Sequence, residues 1–135
     1  MKKFIFLCLM AMLTVTVSAQ KLYTFTNDTL TNGDTVYFTY PTQFSGNYAY
    51  AFEVRIDSLT GSAVTPVATL QGSVTNDNWF NIGSAITMKP PVGGVKYYIH
   101  VFTGSYLPFY KYRIQIINTG TNTVACKSKW LWKPV

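Results

Sequence analysis

An all-β chain, folded as one antiparallel sandwich of about seven or eight strands, is what this sequence predicts. Three observations predict it. Apolar and polar residues alternate in most segments, clusters of Asn, Gly and Pro punctuate them, and no long window carries a helical period. Either an immunoglobulin-like or a jelly-roll topology would satisfy this pattern.

The elements follow in chain order. Leu22 to Thr26 reads as an edge strand and Thr35 to Tyr40 as the next, separated by the Asn-Gly turn of Thr31-Asn32-Gly33-Asp34. Asn47 to Asp57 is the clearest strand. Tyr48, Tyr50, Phe52, Val54 and Ile56 fall on one face, with Ala49, Ala51, Glu53, Arg55 and Asp57 on the other. Such alternation marks a half-buried antiparallel strand with its apolar side inward. Val67 to Val74 and Trp79 to Ile82 come next. The Lys89-Pro90-Pro91-Val92-Gly93-Gly94 run then excludes a central strand, since proline removes ladder donors. Lys96 to Thr103 is apolar on both faces, whereas Tyr110 to Asn118 sets Tyr112, Ile114 and Ile116 against Lys111, Arg113 and Gln115. In the last strand, Asn122 to Trp132, Cys126, Ser128, Trp130 and Trp132 face the core while Lys127 and Lys129 face out.

The N-terminus carries a different signal. Lys2-Lys3, an apolar run from Phe4 to Val17 and the small residues Ser18-Ala19 together describe a secretory signal peptide over Met1 to Ala19. That run is shorter than the roughly 20 residues needed to cross a bilayer. The mature chain is then Gln20 to Val135, one domain with no membrane segment of its own, exported to the periplasm, cell surface or medium. A domain of this size buries about two-thirds of its unfolded surface and needs no disulfide. Cys8 would leave with the signal peptide. Cys126 then has two readings, a buried small hydrophobe or an intermolecular thiol in an oligomer.

Composition narrows the function. Charged residues make up 12% of the chain, against about 25% in an average domain. The net charge of +6 is dispersed apart from Lys127, Lys129 and Lys133, which argues against nucleic-acid binding. His100 is the single histidine and sits in a strand among aromatics, a poor setting for a catalytic triad. Glu53 and Asp57 lie four residues apart on one strand face, roughly 13 Å, wider than paired glycosidase carboxylates. Zinc lacks His and Cys ligands, and Asn76-Asp77-Asn78 fits a turn better than a calcium loop. No enzyme, no metal and no cofactor are therefore expected.

Aromatic residues, 16% of the chain, are the excess. Tyr98, Phe102, Tyr106, Phe109 and Tyr110 exceed what one sandwich end needs, and Tyr106 to Tyr110 forms a loop between strands. Exposed rings there would stack on sugars or enter a protein interface; folded back, they would plug the end of the sandwich.

One stretch carries a family resemblance. Leu70-Gln71-Gly72-Ser73, then Asp77-Asn78-Trp79-Phe80, then Tyr110-Lys111-Tyr112-Arg113-Ile114, and finally Thr119-Gly120-Thr121-Asn122-Thr123, resemble small β-sandwich proteins of tailed phages, including those infecting Bacteroidota. The likeness covers about Asp28 to Lys133. It implies a virion decoration, head-fibre or tail-associated module whose motif residues are Gly72, Asp77, Trp79 and Tyr112. In that motif Gly72 permits close backbone approach, Asp77 makes the turn, and Trp79 returns to the core opposite Tyr112. The Ser18-Ala19-Gln20 junction is similar to Bacteroidota signal peptides. The expected function is a non-enzymatic, exported structural or surface-binding module. Its partner would be a capsid, tail or cell-surface assembly, or further copies of itself. The alternative is a secreted carbohydrate-binding protein using its exposed aromatics.

Overall fold

The computed structural model describes residues 21–25, 28–40, 48–59, 65–75, 77–88, 97–104 and 109–134. The proposed signal peptide and the Tyr106 position lie outside them. Among the described residues, ten strands form two antiparallel sheets of five. In the first sheet, β1 (Lys21–Thr24) and β2 (Asp28–Leu30) both pair with β10 (Val124–Pro134), which pairs in turn with β4 (Tyr48–Ser58), and β4 pairs with β8 (Tyr97–Gly104). In the second, β3 (Thr35–Tyr40) pairs with β9 (Lys111–Asn118), and β9 with β5 (Pro66–Ser73). Short β6 (Phe80–Asn81) and β7 (Ile86–Thr87) border β5.

The order decides between the two expected topologies. Early strands pair with late ones in sequence: β2 with β10, β3 with β9, β4 with β8, and β5 with β6 and β7. The chain is thus one long antiparallel ribbon rolled on itself, alternating between sheets, which is a jelly roll. The expected strands all occur, with ends shifted by a residue or two. β2 and β7 are additional; at three and two residues they are too short for a period to register.

Alternation sets the core. Phe52, Val54 and Ile56 of β4 meet Val124, Cys126, Trp130 and Trp132 of β10, all buried, and opposite them lie Phe38, Tyr40, Leu70, Tyr112, Ile114 and Ile116. Phe52 stacks on Trp130 at 5.5 Å and on Tyr112 at 5.7 Å between ring centroids, and Tyr40 meets Phe52 at 4.9 Å. Such pairs add roughly 0.5–1.5 kcal/mol each to the area they bury. The Tyr40 and Ser128 hydroxyls pair inside the core: Tyr40 OH bonds Ser128 Oγ, which donates to the Glu53 carbonyl at 2.8 Å. Burial correspondingly raises the Tyr40 pKa.

Two turns hold the ribbon's end. Gly33, at φ 84°, takes the left-handed conformation the Thr31–Asp34 reversal requires, and its N–H donates to the Asn118 carbonyl at 2.8 Å. Asn118 is buried and uses its whole amide, donating to the carbonyls of Leu30 (3.2 Å) and Asn122 (2.8 Å) and accepting from the Gly120 N–H.

Cys126 belongs to this core. It is fully buried, and burial pushes its thiol pKa up to about 12. The intermolecular-thiol reading is corrected accordingly: the sulfur cannot reach a second chain unless the sandwich opens.

Candidate functional site

Of the five residues expected to form a binding surface, the four described, Tyr98, Phe102, Phe109 and Tyr110, do not stand together in solvent. Tyr98 and Phe102 occupy the inward positions of β8, opposite Ile56 and Phe52, and pack against the core. Phe109 does the same at the sandwich end, covering Gly72, where a Cβ would collide with its ring; its N–H donates to Tyr112 OH at 2.9 Å. Tyr110 is the exposed one, at 58%. His100 is half-buried, its ring 4.6 Å from Phe102. Among the described residues no three His, Cys, Asp or Glu side chains come together as a metal site, and no helix is long and apolar enough to cross a membrane.

The resemblance motif is also rearranged. Gly72 and Tyr112 are opposite one another in the β5–β9 ladder, with Tyr112 in the core, and Asp77 is exposed. Trp79 does not return to the core. It is half-buried on the outer face of the second sheet, with the Arg113 guanidinium 4.1 Å from its ring centre. The cause is parity: Tyr112 and Ile114 point inward, so Arg113 between them points outward and meets Trp79 there.

That outer face holds the most organised polar cluster in the described structure. Register places Tyr37 beside Gln115, Arg113 beside Gln71, and Gln71 beside Asn81, across four adjacent strands. Arg113 is clamped between two rings, with Tyr37 at 4.2 Å on one side and Trp79 on the other. Both distances are within cation–π range. Its Nε donates to Gln71 Oε1 at 2.7 Å. Gln71 Nε2 donates to Asn81 Oδ1 (2.9 Å) and Gln115 Oε1 (3.3 Å), and Gln115 Nε2 donates to Tyr37 OH at 3.2 Å. Gln71 is 8% exposed, so these bonds fix it. Desolvation lowers the Arg113 pKa, with only Tyr37 opposing.

Chemically, the face offers two aromatic rims, a fixed row of amides and a cation in a partly dry setting. It can stack on a flat apolar surface and exchange paired hydrogen bonds with hydroxyl or carboxylate groups. Sequence reading singled out Trp79 but not Tyr37, Gln71, Asn81, Arg113 or Gln115. Their outward parity was visible; their adjacency depends on the register of four strands.

No family model and no curated protein matches this chain. Solved structures match the fold. A chain in the structure of infectious bursal disease virus Gx strain aligns with a TM-score of 0.54 at 8% identity, over 86% of this chain and 32% of that one. The enzymatically active domain of tailspike protein 4 from bacteriophage CBA120 aligns with a TM-score of 0.52 at 12% identity, over 82% of this chain and 19% of that one. A family 6 carbohydrate-binding module of LamC from Zobellia galactanivorans aligns over nearly its whole length, 98%, but at a TM-score of 0.43 it is too loose a match to weigh. This chain therefore spans a third or less of the two closer structures, and at these identities the likeness establishes a β-sandwich and nothing finer.

Proposed function

We propose that this protein is a non-enzymatic, exported surface-binding module and that the outer face of its second sheet takes a glycan. One observation carries the reading: Arg113 held between Tyr37 and Trp79 above the fixed amides of Gln71, Gln115 and Asn81. Sugars present apolar C–H faces that stack on rings, and neighbouring hydroxyls that pair with oriented amides; both needs are met within one surface. A preorganised polar surface also spares the ordering cost that a mobile one pays on binding. Export is supported by the Lys2-Lys3 start, the apolar run to Val17 and the small residues before Gln20. Attachment to a virion or a cell surface would place such a module where glycans are displayed.

A second reading rests on the sandwich end. Val74, Phe80 and Tyr110 are all exposed, and register brings their positions close: Gly72 opposes Phe80, and Ser73 opposes Lys111, one residue from Tyr110. That apolar rim suits a protein contact in a larger assembly. Screening the protein on a glycan array separates the two. Binding that disappears in Trp79→Ala and Tyr37→Ala but survives Tyr110→Ala supports the glycan face. Absence of binding by the intact protein removes the glycan reading and leaves the assembly one.

A further inference from the structure

We infer that the glycan taken by this face is acidic, with a sugar carboxylate bound by the free edge of the Arg113 guanidinium. The inference rests on the reading of the face as a glycan site and adds the charge class of its ligand.

The guanidinium of Arg113 is held on several sides. Its central carbon lies 4.2 Å over the Tyr37 ring and 4.1 Å over the Trp79 ring, and Nε is given to Gln71. A planar guanidinium then has only its Nη edge left, and no described residue accepts from it. That edge carries parallel donors in the fork that matches a carboxylate in bidentate fashion. The groups around it cannot serve as its counter-charge: Gln71, Gln115 and Asn81 are neutral amides, and the Arg55–Asp57 and Lys129–Glu53 pairs lie on the other sheet. Arg55, the chain's other arginine, shows the contrast. It too is outward on a central strand, yet it has Asp57 Oδ1 at 2.8 Å.

A ligand lying across Tyr37 and Trp79 would dry this cation further. A neutral sugar leaves the charge uncompensated as water departs, which costs binding energy; a carboxylate compensates it and gains two charge-assisted bonds. Burial already lowers the Arg113 pKa, consistent with a cation short of solvation. The stacking rims and amide row favour a sugar acid over an acidic peptide, because both features have partners on a pyranose ring.

The experiment compares acidic polysaccharides, polygalacturonate and polysialic acid, with the same polymers after reduction of their carboxyls to alcohols, by calorimetry on the intact protein. A poly-glutamate arm is included. The expected result is tighter binding of an acidic polymer than of its reduced form by at least about tenfold, with no comparable affinity for poly-glutamate. Arg113→Gln should abolish that preference, and Arg113→Lys should restore only part of it, because a point charge lacks the fork. The comparison of polymers uses the unaltered protein, so it stands even if a variant fails to fold. Equal binding of acidic and reduced polymers would overturn the inference while leaving the glycan face intact. Equal binding of poly-glutamate would overturn it too, since recognition would then follow carboxylates rather than sugars. Failure to bind any glycan, neutral or acidic, would remove the function proposed above along with it.

Discussion

The two outer faces of this sandwich are built by the same alternation and solve the same problem in opposite ways. On the first sheet, charge meets charge: Arg55 pairs with Asp57 at 2.8 Å, and Lys129 approaches Glu53 at 3.6 Å across the β4–β10 ladder. These pairs are partly open to solvent, so each contributes little, about 0–1 kcal/mol. On the second sheet a lone arginine is held by rings and amides, with no carboxylate beside it among the described residues. The first face has completed its electrostatics internally. The second keeps a positioned, partly desolvated cation with no carboxylate beside it among the described residues, and for that reason it is the proposed site.

The sharpest test of this contrast is removal of Gln71. Gln71→Ala deletes the acceptor of Arg113 Nε and the donor to Asn81 and Gln115 in one step, at a position that is 8% exposed. The expected loss is about 1–3 kcal/mol in urea unfolding, since three side-chain hydrogen bonds go at once, one of them to the charged Arg113. A loss near zero would show the amide row to be as loosely held as the surface pairs opposite.

On the first sheet, Lys129→Ala should cost under about 1 kcal/mol by the same measurement, and the cost should shrink in high salt. Should Lys129→Ala match Gln71→Ala, the two faces would be equally organised and the contrast would fail.

The smallest effect is a pH dependence belonging to neither face. The Thr31 hydroxyl and N–H, donating to Asp34 Oδ2 at 2.6 and 2.8 Å, lower the Asp34 pKa. A carboxylate whose pKa falls on folding stabilises the fold above its unfolded value, about 3.9, and that stability is lost as pH falls through the lower folded value. Unfolding curves of the wild type and Asp34→Asn should therefore converge in acid and separate at neutral pH, with the wild type the more stable. Parallel curves across that range would assign the acid sensitivity to other groups.

Strand parity was legible at nearly every long element. Phe52, Val54 and Ile56 are inward, Trp130 and Trp132 are core, and the Thr31–Asp34 reversal forms around Gly33. Lys96 to Thr103 was harder, because both faces of that strand are apolar. The structure turns Tyr98, His100 and Phe102 inward and leaves Ile99 and Val101 each 43% exposed, on a strand at the border of its sheet. Composition alone cannot rank two apolar faces; the neighbouring strand decides which one is covered. Trp79 shows the converse. A large aromatic next to a turn suggests core, yet an outward arginine offered it a partner on the solvent side.

Local alternation and turn chemistry were enough to determine that this chain is all-β, where its long strands run and which residues each strand buries, because those properties depend on period and backbone preference within a few residues. The jelly-roll order and the site were decided only in three dimensions. Tyr37, Gln71, Trp79 and Arg113 come from four separate segments, and nothing in any one of them specifies its lateral neighbours. Register does so, and register is fixed by burying both inner faces at once, since a slip of one residue would turn every buried side chain out to water.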